Sequence, residues 1–109
     1  MEVRRVRGWS VIEITGDLDM ATAPALRQVI LQQLSQGTRY VAVDLTGADF
    51  IDSSGLGVLV AALKRVRTHD GELAVVCPDP RLRRSFELTE LVSVLGLRDT
   101  ADELPDTTG

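Results

Sequence analysis

The run Tyr40-Val41-Ala42-Val43-Asp44-Leu45 constrains this chain more than any other stretch. It is a nearly continuous apolar segment of strand-forming residues, too short for a buried helix. Such runs belong to strands covered on both faces, as in parallel sheets. A second run of the same kind, Glu72–Cys77 (ELAVVC), follows some thirty residues later. Parallel neighbours need a crossover between them. The intervening segment supplies one, with Leu56, Leu59, Val60, Leu63 and Val66 at helical spacing and Lys64, Arg65 and Arg67 on the remaining faces.

The same reading extends in both directions. Residues 3–14 alternate apolar and polar residues around Gly8, which predicts two short strands joined by a hairpin turn. Gly16 and two aspartates then break the pattern. Thr22 or Ala23 is the expected cap of a first helix over Pro24–Gln36, with Leu26, Val29, Ile30 and Leu34 on one face and Gly37 as its stop. After Cys77, Asp79 caps a helix opened by Pro80, with Leu82 and Phe86 turned inward. LVSVLGL (91–97) reads as a weak last strand, TADE (100–103) as a capping box for a short helix, and the tail from about 105 to 109 as frayed. The order β-β-α-β-α-β-α-β-α predicts an α/β sheet with right-handed crossovers in a single domain over 1–109.

Composition narrows the function. With 44% hydrophobic residues but only 4% aromatic ones, the core has to be aliphatic. The net charge of −4 speaks against a nucleic-acid surface, and Arg81, Arg83 and Arg84 on a short helix read as a solvated face. The single cysteine, Cys77, has no partner for a disulfide and reads as a small buried hydrophobe in a reducing compartment. Neither a signal peptide nor a membrane span is apparent, so a cytoplasmic location is expected. Lys64 is the only lysine among twelve cationic residues, which hints at a GC-rich bacterial genome.

Two loops fall at the carboxyl ends of predicted strands, Gly16–Met20 and Asp52–Gly57, where sites in such sheets are expected. The second reads Asp52-Ser53-Ser54-Gly55-Leu56-Gly57. Neither serine has the Gly-x-Ser-x-Gly context of a nucleophile elbow. The only histidine, His69, lies at the far end of the following helix, on the order of 20 Å away by helical rise, and reads as a helix-end residue. The glycines match neither nucleotide-loop pattern. Asp17, Asp19 and Asp52 could ligate Mg²⁺, but caps and loop hydrogen bonds explain them as well, so neither a metal nor a cofactor is expected. What remains is a phosphate acceptor. Asp52 or Ser53 caps the helix and leaves Ser54 pointing out of its first turn. A phosphate there sits at the positive end of the helix and adds roughly −1.5 to −2 charges to an acidic surface.

ITGDLDMATAPALRQVI, VAVDLTGADFIDSSGLGVLVAALKRV and ELAVVCPDPRLRRSFELTEL together resemble the STAS domain of anti-sigma factor antagonists (anti-anti-sigma factors), over about Val3 to Leu104. Two departures stand out: Asp17 replaces the usual Glu of the first block, and Glu90 stands where many relatives have Gly. The resemblance implies a small mixed sheet of about four to five strands with helices mainly on one face. It implies a non-enzymatic, partner-switching phosphoprotein of bacterial transcription regulation. The unphosphorylated form would bind an anti-sigma factor that is also an ATP-dependent serine kinase and release the sigma factor. Phosphorylation at Ser54 would switch binding off, and a serine phosphatase would reset it. Asp52 and Ser53 would shape the loop, and Gly55, Leu56 and Gly57 would belong to the partner surface. Asp17 and Asp19 would contact the kinase or its Mg²⁺ site. A non-switching STAS scaffold or regulatory subunit, of a lipid transporter or a stress complex, is the alternative. Its Ser54 would only begin a helix.

Overall fold

The computed structural model describes residues 1–88 and 95–108. One five-stranded sheet in the order β1-β2-β3-β4-β5 organises them. The strands are β1 (Glu2–Val6), β2 (Trp9–Leu18), β3 (Tyr40–Ile51), β4 (Glu72–Val76) and β5 (Leu97–Arg98). β1 runs antiparallel to β2, and every other neighbouring pair is parallel. The mixed sheet and its strand number match expectation.

The hairpin turns where the sequence places it. Arg7 and Gly8 both have positive φ, 54° and 88°, and Val6 pairs with Trp9 across them. Two consecutive left-handed residues are what a tight two-residue turn requires, and the second tolerates them best as glycine.

Three helices fill the crossovers: α1 (Ala23–Ser35), α2 (Ser53–Thr68) and α3 (Pro80–Leu88). α1 lies within one residue of its expected span at each end, and α3 opens at Pro80 as expected. The sheet's alternation explains why they gather on one face. Ile12 and Ile14, then Val41, Val43 and Leu45, then Leu73, Val75 and Cys77 point to the same side, where Leu26, Ile30, Leu59, Leu63, Leu82 and Phe86 of the helices meet them. The residues between them, Trp9, Val11, Ala42 and Ala74, form a second cluster on the other side, closed by Leu104. Val41, Ala42 and Val43 are all fully buried, which accounts for the unbroken apolar run at the centre of the sheet.

Several local expectations are revised. β2 does not end before Gly16. The chain continues as strand to Leu18, with register shifts against β3 between Glu13 and Thr15 and again between Gly16 and Asp17. Gly16, at φ 84°, is a bulge within a strand rather than its end. β3 likewise runs six residues past the apolar stretch, to Ile51. The expected capping box is not formed. Residues Ala101–Glu103 make a 3₁₀ turn, the Thr100 side chain caps nothing, and Glu103 Oε2 accepts the amide of Asp99 at 3.3 Å. Of the expected last strand, 91–97, residues 91–94 lie outside the described residues, as does Glu90; Leu95 is helical, Gly96 is a turn at φ 58°, and strand begins only at β5, Leu97–Arg98.

The tail expected to fray makes specific bonds. Pro105 carbonyl accepts the Trp9 indole N–H at 2.8 Å, and the Thr107 amide and hydroxyl both donate to Arg7 carbonyl, at 2.8 and 2.9 Å. The arginines of α3 are partly structural rather than free. Arg81 pairs with Asp79, and Arg83 bridges Asp99 and the Cys77 carbonyl.

Candidate functional site at the start of α2

β2 and β3 deliver their carboxyl ends side by side, with Asp17 opposite Phe50 and Leu18 opposite Ile51. The backbone amide of Asp52 donates to Leu18 carbonyl at 3.2 Å, which fixes where α2 begins. Asp52 itself is extended and caps the helix. Its Oδ1 accepts the amides of Ser54 at 2.8 Å and Gly55 at 3.1 Å. Of the two residues that the sequence offers as cap, the aspartate takes the role. Both serine hydroxyls are left without a hydrogen bond among the described residues. Ser53 is exposed and Ser54 half-buried.

The neighbouring aspartates divide their work. Asp19 Oδ1 accepts the amides of Ala21 at 2.9 Å and Thr22 at 3.2 Å, and its carbonyl takes the amide of Ala23 at 2.7 Å. It is therefore Asp19 that braces the start of α1. Thr22 makes no side-chain cap and instead donates its hydroxyl to the Asp17 carbonyl at 2.7 Å. Asp17 lies exposed on β2. The three carboxylates share one end of the sheet without forming a cluster able to hold a metal ion among the described residues.

The three residues that follow the serines differ in what they can offer a partner. Gly55 is buried, and a Cβ there would meet Leu18 carbonyl oxygen at 2.7 Å and Leu18 Cγ at 2.8 Å. Its smallness is required by helix-on-strand packing, whatever a partner asks of it. Leu56, expected in the partner surface, is packed into the core of the free chain. Gly57 is exposed, and a Cβ there would meet nothing within 4 Å. Of the three, only Gly57 is exposed.

Two features escaped the sequence. Met20 and Phe50 stand exposed at 76% and 50% beside these loops, an unusual pair of large apolar side chains on one rim. Ser54 also lies at the end of a groove of about 320 Å³ between α1 and α2, which Arg27 and Arg65 help to line. Both follow from how the elements are juxtaposed, and no local pattern signals either. A larger cavity, about 670 Å³, lies on the helix-free side around Arg4, Glu13, Asp44 and Asp102 and contains none of the predicted site residues. There Asp44 is committed to Thr46, whose amide and hydroxyl its Oδ1 accepts at 2.9 and 2.6 Å.

His69 sits at the C-cap of α2, its Nδ1 3.0 Å from the Arg65 carbonyl oxygen. The whole helix separates it from the serines, so a serine–histidine pair cannot form within the chain.

A bulge-extended mixed sheet with helices on one face, and an Asp-capped Asp-Ser-Ser-Gly helix start beside a second acidic loop, define a STAS architecture. The family model described as STAS domain matches residues 1–104, and the chain belongs to that family. An anti-sigma-B factor antagonist of Staphylococcus aureus is 33% identical over 88 residues, covering 81% of this chain and 82% of that protein. Among solved structures, a candidate anti-sigma factor antagonist of Thermotoga maritima superposes with a TM-score of 0.86 at 25% identity, over 94% of this chain and 88% of its own. An anti-sigma factor antagonist of Mycobacterium paratuberculosis gives 0.84 at 33% identity, over 94% and 86%.

Proposed function

We propose that this chain is an anti-sigma factor antagonist that works by binding and not by catalysis. Its partner is an anti-sigma factor with serine-kinase activity, and Ser54 is the residue that partner phosphorylates. The observation that carries this reading is the division of labour at the start of α2. Asp52 satisfies the Ser54 amide, so the Ser54 hydroxyl is free of structural duty while its backbone is held in place. The similarity to anti-sigma factor antagonists supports the choice of partner. Unphosphorylated, the chain occupies the anti-sigma factor and sigma is released. Phosphorylated, it carries a dianion among Asp17, Asp19 and Asp52, and a surface matched to the neutral loop rejects it. A serine phosphatase resets the switch. No helix of the described residues is long and apolar enough to cross a membrane, and action in the cytoplasm fits this role.

The test is incubation with the purified anti-sigma kinase of the same organism and ATP, followed by mass spectrometry of the peptides. One phosphate on Ser54 is expected. Phosphate confined to Ser53 or to a tail threonine would sink the assignment, and binding without any phosphate transfer would leave the non-switching scaffold.

A further inference from the structure

The α1–α2 groove is a surface whose shape and charge specify an occupant. α2 contributes Ser54, Gly57, Ala61 and Arg65, spaced three, four and four residues apart and therefore in one line along the helix. From Ser54 to Arg65 that line runs about 16 Å, roughly three helical turns. α1 contributes Arg27 and Leu31, one turn apart on the facing helix. The trough is thus apolar and small-walled along its length and carries a guanidinium from each helix.

Two observations bear on what would fit it. The Arg27 and Arg65 side chains are exposed and, like those of Arg39, Arg67, Arg84 and Arg98, have no ion-pair or hydrogen-bond partner among the described residues, so their charge along the groove is uncompensated. And Gly57 lies inside a helix with open space where a Cβ would be. A glycine there costs the helix roughly 0.5–1 kcal/mol relative to alanine, and no contact among the described residues requires it. Unpartnered cations flanking a wall kept bare fit a ridge that is apolar at its crest and anionic on its flanks.

We propose that the groove seats an amphipathic helix of the partner protein, about three turns long, apolar toward Gly57 and Ala61 and bearing carboxylates toward Arg27 and Arg65. This rests on the reading that the Ser54 end faces a protein partner, and it adds which element of that partner is gripped. The partner surface is then two-signed: electropositive over the aspartate loops, acidic along the groove. Phosphorylation acts on both at once. A phosphate on Ser54 stands at the mouth of the groove, where it repels the incoming carboxylates.

The experiment uses ¹⁵N-labelled chain and a synthetic peptide stapled into a helix, with Leu and Ala on one face and Glu on both flanks. A second peptide has each Glu replaced by Lys. The Glu peptide should shift the amides of residues 27–31 and 54–65 saturably, and added salt should weaken it. The Lys peptide should bind about tenfold more weakly. Arg27→Glu with Arg65→Glu, both at exposed positions, should reverse that preference, and Gly57→Leu should block both peptides while the spectrum stays that of the folded chain. Equal binding of the two peptides, absence of binding, or shifts centred on Met20 and Phe50 would overturn the proposal. Because no kinase or ATP is present, failure here is distinct from failure of the phosphorylation test.

Discussion

Asp52 Oδ1 and the Ser54 amide nitrogen lie 2.8 Å apart, and this bond lets one residue hold the helix while its second neighbour stays available for chemistry. The two jobs are separable by mutation. Asp52→Ala should remove the cap and lower stability by about 1 kcal/mol. For a chain of this size that is a fall of roughly 4–8 °C in melting temperature. Asp52→Asn, which keeps an acceptor oxygen, should recover most of it. Thermal denaturation followed by circular dichroism measures both.

Ser54→Asp should leave the fold intact. An anion near a helix N-terminus is favourable by about 0.3–1 kcal/mol at an exposed site, so the melting temperature should match or slightly exceed that of the wild type. Binding to the anti-sigma partner should fall about a hundredfold, equivalent to about 2.8 kcal/mol. Ser54→Ala removes one hydrogen bond at most and should cost the interface only about 0.5–1.5 kcal/mol. Titration calorimetry of the three chains gives the ordering. Equal affinities for wild type and Ser54→Asp would favour the scaffold reading.

Gly55→Ala and Gly57→Ala should move stability in opposite directions. The first forces a methyl to 2.7 Å from a backbone oxygen of β2 that already anchors Asp52, and should cost about 1–3 kcal/mol. The second meets open space and should gain roughly 0.5–1 kcal/mol. Urea denaturation of the pair decides the matter.

The Cys77 thiol is pushed up to about 11 by burial, which the nearby Asp79 charge reinforces and Arg83 opposes. Native protein at pH 8 should therefore react with a disulfide reagent far more slowly than the denatured chain, since it is the thiolate that attacks. The sign of the linkage follows. Above pH 9, the ordinary value for this thiol, the unfolded chain loses the proton that the folded chain keeps up to about 11. This group's contribution is thus complete below pH 9 and declines as pH rises through that window.

Removing residues 105–109 should leave the Trp9 indole N–H without its acceptor and loosen the cover over the helix-free face. Trp9 is the only tryptophan, so its emission reports the change directly: a red shift and greater quenching by iodide are expected. Unchanged emission would mean that Leu104 alone suffices as the cover.

These outcomes trace where sequence patterns carry information and where they stop. The central strands and the three helices were legible because burial on both faces, or on one stripe, is written in consecutive residues. Asp52 was legible as a cap because capping is local. The extension of β2 through Gly16 and Asp17 was not, because a bulge lets polar and glycine residues stay in a sheet that their pattern appears to end. Thr100 and Glu103 carry capping-box spacing, yet the Glu103 carboxylate takes the Asp99 amide instead. The Trp9–Pro105 bond spans 96 residues, and nothing near either residue announces it. Gly55 and Gly57 are alike on paper. Only the position of β2 against α2 makes one a packing requirement and the other an opening. For the same reason Arg27 and Arg65, on separate helices, gave no sign that they share a groove.

The sheet's margins carry a final consequence. β1 is an edge strand with Glu2, Arg4 and Arg5 exposed along it, and β5 at the opposite margin is two residues long. Charged side chains on one border and brevity on the other leave little backbone template for an incoming strand. Self-association by sheet extension is thereby discouraged at both borders, and so is capture of an extended peptide by β-augmentation. A protein built this way can be kept at high concentration in a cell as a separate, exchangeable part, free to leave one complex and enter another without being drawn into a fibre.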